Sequence, residues 1–148
     1  MLIYGFLNLA LINRRALKEG FGPMKHSEAF VRLVDEVMPE IKEVTIEEVR
    51  EKLDKMALNS SFHLVDVRED SEWDKGRIKG SIHIGRGVLE RDIETVIENK
   101  SDEIVLYCGG GFRSALAAFN IQKMGYGNVY SMQGGIRAWR EKEYPEEC

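Results

Sequence analysis

The sequence predicts an α/β domain, a mostly parallel central sheet flanked by helices on both faces, with an extra helical segment at the N-terminus. Three observations predict it. Short apolar runs of strand length alternate with segments whose apolar residues recur at helical spacing. A glycine run, Gly109-Gly110-Gly111, directly follows one such strand and opens a helix, which is where ligands sit in sheets of this kind. The chain has 148 residues, 43% hydrophobic and 31% charged, enough for one core and too few for a second catalytic domain.

In chain order, residues 1–42 are predicted as an N-terminal extension and residues 43–148 as the domain. Met1 to Ile12 is apolar and uncharged, with Arg14 and Arg15 after it. It is shorter than the roughly 20 residues of a bilayer crossing. It also lacks the leading basic residues and small-residue cleavage site of a secretory signal. Three readings stay open: a helix or arm packed on the domain or on a second copy of the chain as a homodimer, an interfacial membrane anchor, or translated sequence ahead of a native start at Met24. Gly20, Gly22 and Pro23 form the one linker-like stretch. Phe30, Leu33, Val34, Val37, Met38 and Ile41 then recur as one face of an amphipathic helix, with Pro39 near its end.

Thr45 followed by Glu48 is a capping-box pattern. It opens a helix carrying Val49, Leu53 and Met56 on one face and ending near Asn59. Phe62 to Val67 reads as a buried strand, and a charged stretch runs from Arg68 to Lys75. Ser81 to Ile84 is a second short strand, and Val88, Ile93, Val96 and Ile97 mark a helix. Ile104 to Tyr107 is a third strand. Beyond the glycines, Ala115 to Met124 is strongly helical and stops at Gly125. Asn128 to Met132 gives a fourth strand and Gly135 to Glu141 a last helix.

Composition narrows the chemistry. With 21 Lys+Arg against 25 Asp+Glu, a net charge of -4 and no basic stripe, nucleic acid is not an expected partner. Two cysteines, Cys108 and Cys148, provide neither a disulfide framework nor a zinc ligand set, and they suit a reducing, cytoplasmic setting. His26, His63 and His83 stand apart from one another, so no metal and no cofactor is expected. Cys148 follows Pro145 in a polar terminus and reads as a free, exposed thiol.

The chemistry concentrates in Cys108-Gly109-Gly110-Gly111-Phe112-Arg113-Ser114. Glycine tolerates positive φ, so successive N–H groups can turn inward as an anion-binding nest, and the helix that follows aims its own free N–H groups at the same point. That arrangement holds a cysteine as the thiolate, the nucleophilic form. Singly, a lone cysteine is most often a small buried hydrophobe and a glycine run a plain turn. Together at a strand-to-helix junction, with Arg113 inside the cradle, they point to a nucleophile.

This loop resembles the active-site loop of the rhodanese family, Cys-x-x-x-x-Arg-Ser/Thr, a rhodanese-like (Cdc25-like) fold. The similarity runs from about Val44 to Trp139. Leu64-Val65-Asp66-Val67-Arg68, Glu72-Trp73, Gly76-Arg77-Ile78, Gly80-Ser81 and His83-Ile84 resemble the upstream signatures, and Gln133-Gly134-Gly135-Ile136 through Trp139 the downstream Gly-Gly-x-x-x-Trp. Two positions depart from the pattern: Arg77 replaces the usual histidine and Gly85 the usual proline, both in scaffold.

The resemblance implies a sulfurtransferase. Cys108 takes the outer sulfur of a small donor such as thiosulfate or 3-mercaptopyruvate as a persulfide. A thiol, cyanide or sulfur-relay protein then receives it. Main-chain N–H groups from Gly109 to Ser114 cradle the sulfur, and Arg113 either steers an anionic donor or braces the loop through a carboxylate. In support, Asp66 can accept loop amides and Arg68 can pair with Glu72, with a partly exposed salt bridge of structural use as the plainer reading of this pair. Arg86 is expected to add positive potential at the mouth, with simple exposure as its plainer reading. Gly134 and Gly135 allow close approach of a neighbouring loop, and Trp139 is expected in the core. Two rivals remain. A phosphatase of the Cdc25 or arsenate-reductase kind is disfavoured because only four residues separate Cys108 from Arg113. A non-catalytic rhodanese-like binding or regulatory module is disfavoured by the presence of Cys108.

Overall fold

The computed structural model describes residues 25–56 and 61–148. The elements run α1 (Glu28–Val37), a 3-10 turn (Met38–Glu40), β1 (Lys42–Val44), α2 (Ile46–Asp54), β2 (Phe62–Asp66), α3 (Asp70–Trp73), β3 (Arg77–Ile78), β4 (Ile82–His83), α4 (Leu89–Val96), β5 (Glu103–Tyr107), α5 (Phe112–Lys123), β6 (Val129–Met132), α6 (Gly135–Glu141) and β7 (Glu146–Glu147). They form two compact units that divide between Glu36 and Val37. The expectations for Met1 to Ile12, for the Gly20 to Pro23 linker, for Met24 and for a helix end at Asn59 lie outside the described residues.

In the first unit, α1 turns Val34 fully inward while Leu33, expected on the same apolar face, is 50% exposed. Adjacent positions lie about 100° apart on a helix, so the two cannot share one narrow stripe. Among the described residues no helix is long and apolar enough to cross a membrane.

The second unit is built on a five-stranded sheet in the order β1-β6-β5-β2-β4, and every pairing is parallel. Alternation along the strands divides the core. Val65, Ile104, Leu106 and Val129 face one side, where Leu89 and Ile93 of α4 and Ala117, Ala118 and Ile121 of α5 cover them. Phe62, Leu64, Val105, Tyr107 and Met132 face the other, beneath Ile46 and Val49 of α2 and Ile136 and Trp139 of α6. Each fully buried Leu or Ile of these layers contributes about 1.5–3 kcal/mol.

Helix α2 begins at the predicted capping box, with the Glu48 N–H donating to Thr45 Oγ1 and the Thr45 N–H to Glu48 Oε2. Four elements had no sequence signal of their own. β1 is only Lys-Glu-Val and is held by pairing with β6. β3 and β7 are two residues each and pair antiparallel. The charged stretch after β2 contains α3, capped reciprocally by Glu69 and Glu72. Short elements like these are fixed by tertiary pairing, which no period of two or 3.6 can report.

Candidate active site

Cys108 follows β5 with the parity of Ile104 and Leu106, so its side chain turns toward the α5 side of the sheet. There it meets the start of α5. The Gly111 N–H donates to Cys108 Sγ at 3.2 Å and the Ser114 N–H at 3.4 Å, while Ser114 Oγ lies 3.5 Å from the sulfur. Gly111 occupies the N-cap of α5 with φ +97°, a left-handed conformation that favours glycine. Two of the N–H groups expected to ring the sulfur, those of Gly111 and Ser114, donate to it. Gly109 and Gly110 are half-buried and form the rim, whereas Cys108 itself is 1% exposed.

Behind Ser114 stands a residue the sequence reading missed. Ser131 has the strand parity of Val129, so it faces the same side of the sheet, and its Oγ lies 2.8 Å from Ser114 Oγ with both serines fully buried. Parity along β6 was the signal that could have found it. The pair forms a reversible chain: a thiol donates to Ser114, which donates to Ser131, whereas a thiolate receives a hydrogen bond from Ser114, which receives one from Ser131.

Arg113 braces the loop. Its Nη1 donates to Glu72 Oε2 at 2.8 Å and its Nη2 to Glu72 Oε1 at 3.0 Å, a bidentate pair. Glu72 is aimed by its cap role, accepting the Glu69 N–H at 3.0 Å. Its hydrogen bonds to Arg113, acting against the opposing effect of burial, bring its carboxyl down to about 2. The same bonds push Arg113 further up, so it stays charged.

Two expected pairings are corrected. Arg68 does not pair with Glu72: its Nε and Nη2 grip Asp66, the shortest contact being 2.7 Å, and Nη2 also donates to the Gly76 carbonyl at 2.7 Å. Asp66 does not receive loop amides. It has the parity of Phe62 and Leu64 and so lies on the opposite side of the sheet from the Cys108 sulfur, accepting the Arg68 N–H at 2.9 Å. Burial opposes the Arg68 charge, but the Asp66 bonds outweigh it and the guanidinium is held above its ordinary pKa. Arg86 is not a free cation at the mouth: its Nη1 donates to Glu90 at 2.7 Å.

The other two site glycines lie at the start of α6. Gly134 caps α6 with φ +73°, and a Cβ on it would lie 2.6 Å from Ala138 Cβ. A Cβ on Gly135 would lie 2.5 Å from the Cys108 carbonyl oxygen, so α6 packs directly against the loop backbone. The Ile136 and Arg137 N–H groups donate to the carbonyls of Cys108 and Gly109 at 2.9 and 3.1 Å. Trp139 is buried, with Nε1 donating to the Pro145 carbonyl. Arg77, one of the two departures, lies 4.4 Å from the Trp73 ring and pairs with Glu147 at 3.9 Å. Cys108 and Cys148 are both free, the first buried and the second exposed.

Several known proteins are similar to this chain in sequence or in fold. A Bacillus subtilis protein named "Putative sulfur carrier protein YrkF" is 35% identical over 102 residues, 69% of this chain and 52% of that protein. A second from the same organism, "Putative sulfurtransferase YtwF", is 32% identical over 107 residues, 72% of this chain and 98% of its own length. The chain thus spans about half of the first relative and nearly all of the second. A solved structure from Rhodopseudomonas palustris, a protein of unknown function described as a possible tyrosine phosphatase, superposes with a TM-score of 0.73 at 31% identity. It covers 85% of this chain and 99% of its own. The model of the rhodanese-like domain matches residues 45–142, from the cap of α2 through α6, so that this chain belongs to the rhodanese-like domain family.

Proposed function

We propose that the chain is a sulfurtransferase that moves sulfane sulfur from a small donor such as thiosulfate to a thiophilic acceptor through a persulfide on Cys108. The observation that carries this reading is the convergence of the Gly111 and Ser114 N–H groups on Cys108 Sγ at a helix N-terminus. Those donors are in place before reaction and stabilise negative charge on sulfur both before and after it gains a second sulfur atom. Loading is then a displacement. The thiolate forms a bond to the outer sulfur of thiosulfate, the S–S bond of the donor breaks, and its electron pair leaves with sulfite. Discharge is the mirror step: cyanide takes the outer sulfur as thiocyanate and returns the thiolate. No proton transfer is required in either direction.

The relatives named as a sulfur carrier and a sulfurtransferase support the reading and extend the acceptors to a sulfur-relay protein. Both cysteines being free thiols fits a cytoplasmic setting. The phosphatase description of the similar solved structure supplies a second reading. The loop argues against it here: Gly109 to Phe112 leaves little room for a tetrahedral phosphate, and Glu72 already takes both terminal nitrogens of Arg113.

Intact mass spectrometry after exposure to thiosulfate or 3-mercaptopyruvate tests the proposal. The native chain is expected to gain one sulfur mass and the Cys108→Ser chain none. Hydrolysis of a phosphomonoester by a chain that never gains sulfur would move the assignment to the phosphatase.

A further inference from the structure

The loop glycines carry no charge, yet the structure brings a guanidinium to their rim from elsewhere in the chain. Helix α6 is pressed against the loop by Gly135, and its Arg137 N–H is tied to the Gly109 carbonyl at 3.1 Å. The Arg137 side chain then runs beside the rim: a Cβ on Gly110 would lie 3.9 Å from Arg137 Nη1 and 4.0 Å from the Phe112 ring.

What sets this cation apart is the lack of a carboxylate or ring partner among the described residues. Among the described residues Arg32, Arg68, Arg77, Arg86, Arg91, Arg113 and Arg140 each have a carboxylate within ion-pair distance. Arg50 lies over the Tyr144 ring. Arg137 alone among the described arginines has neither, and its half-buried side chain is positioned by a backbone that is itself fixed to the loop. The second guanidinium near the rim, Arg113, lies 3.3 Å from a Cβ built on Gly109 but is neutralised by Glu72. Among the described residues, the uncompensated guanidinium at the rim is therefore that of Arg137.

Resting on the sulfurtransferase reading, we propose that Arg137 binds the anionic end of the sulfur donor, the sulfonate group of thiosulfate, and holds it as departing sulfite. A fork of N–H donors matches a tetrahedral oxyanion. The placement has a chemical purpose: thiosulfate is a dianion approaching a thiolate, and a cation on the rim offsets that repulsion without itself reacting.

Thiosulfate binding to the otherwise native Cys108→Ser chain, followed by chemical-shift titration, separates this subsite from the chemistry. Adding Arg137→Gln is expected to raise the dissociation constant about tenfold, the worth of one charge-assisted hydrogen bond, and Arg137→Lys to raise it less. Sulfate is expected to compete with thiosulfate in the Arg137 chain and to compete poorly after Arg137→Gln. Equal dissociation constants with Arg137 and with Gln, or no binding to the Cys108→Ser chain at all, would overturn the proposal. Sulfur gain by the Cys108 chain is read separately by mass. A chain that binds thiosulfate through Arg137 and never gains sulfur removes the sulfurtransferase reading and leaves the anion site standing. One that gains sulfur equally fast, at limiting thiosulfate, with Arg137 or Gln removes the anion site alone.

Discussion

At the scale of single residues, two ion pairs with different burial perform different tasks. Glu72 and Arg113 are about a third exposed, so their bidentate pair contributes little to global stability while fixing the loop. Glu72→Gln is expected to cost about 1 kcal/mol at neutral pH and to slow sulfur loading by releasing Arg113. The pH dependence has a definite sign. The folded-state Glu72 value is depressed from 4.5 to about 2, so its contribution is complete above 4.5 and fades as pH falls toward 2. Urea unfolding of the native and Glu72→Gln chains should therefore show a constant gap above that window and a closing one within it. A constant gap down to the lowest pH would remove this account of the pair. Asp66 and Arg68 are 0% and 3% exposed, and Asp66→Ala leaves a buried guanidinium without its carboxylate. The expected loss is about 3–5 kcal/mol, and the double variant Asp66→Ala/Arg68→Met should recover part of it. The sequence named all four residues but offered Glu72 to Arg68 and left the carboxylate for Arg113 unnamed, because which side chains meet depends on register as well as on residue type.

At the scale of elements, α6 acts as the wall of the site. It approaches so closely that a methyl group on Gly135 has no room beside the Cys108 and Gly109 backbone, and its φ of +58° strains any other residue. Gly135→Ala should leave the far-ultraviolet circular dichroism native while cutting sulfur loading at least tenfold, since the clash falls on the cradle itself. Unchanged loading would show that the loop does not depend on this packing. The long elements, α2, β2, β5 and α5, were legible because their periods persist over several residues. Lys42–Val44 was not, since three residues with two charges carry no period and become a strand only through their pairing with β6. Ser131 escaped notice for a related reason: parity along β6 gives the side of the sheet it faces, but its contact with Ser114 of α5 on that same side is set by tertiary packing.

At the scale of the whole molecule, the residues from Val37 onward contain both apolar layers and every group placed around Cys108. A chain beginning at Val37 is thus expected to melt cooperatively and to load sulfur, as followed by thermal circular dichroism and mass. A molten chain would mean that the preceding residues complete the core. Loss of core volume should be felt at the site as well. Leu106 shares its side of the sheet with Cys108, and Leu106→Ala should cost about 2–5 kcal/mol in urea unfolding. The central claim, that the sulfur atom travels on Cys108 in a cradle formed in advance, is tested most directly by digesting thiosulfate-treated protein under non-reducing conditions and mapping the added mass. The account predicts one extra sulfur on the peptide containing Cys108, none on that containing Cys148, and release by cyanide as an equal amount of thiocyanate. Sulfur found on Cys148, or a Cys108 peptide that stays unmodified while thiocyanate forms, would contradict it.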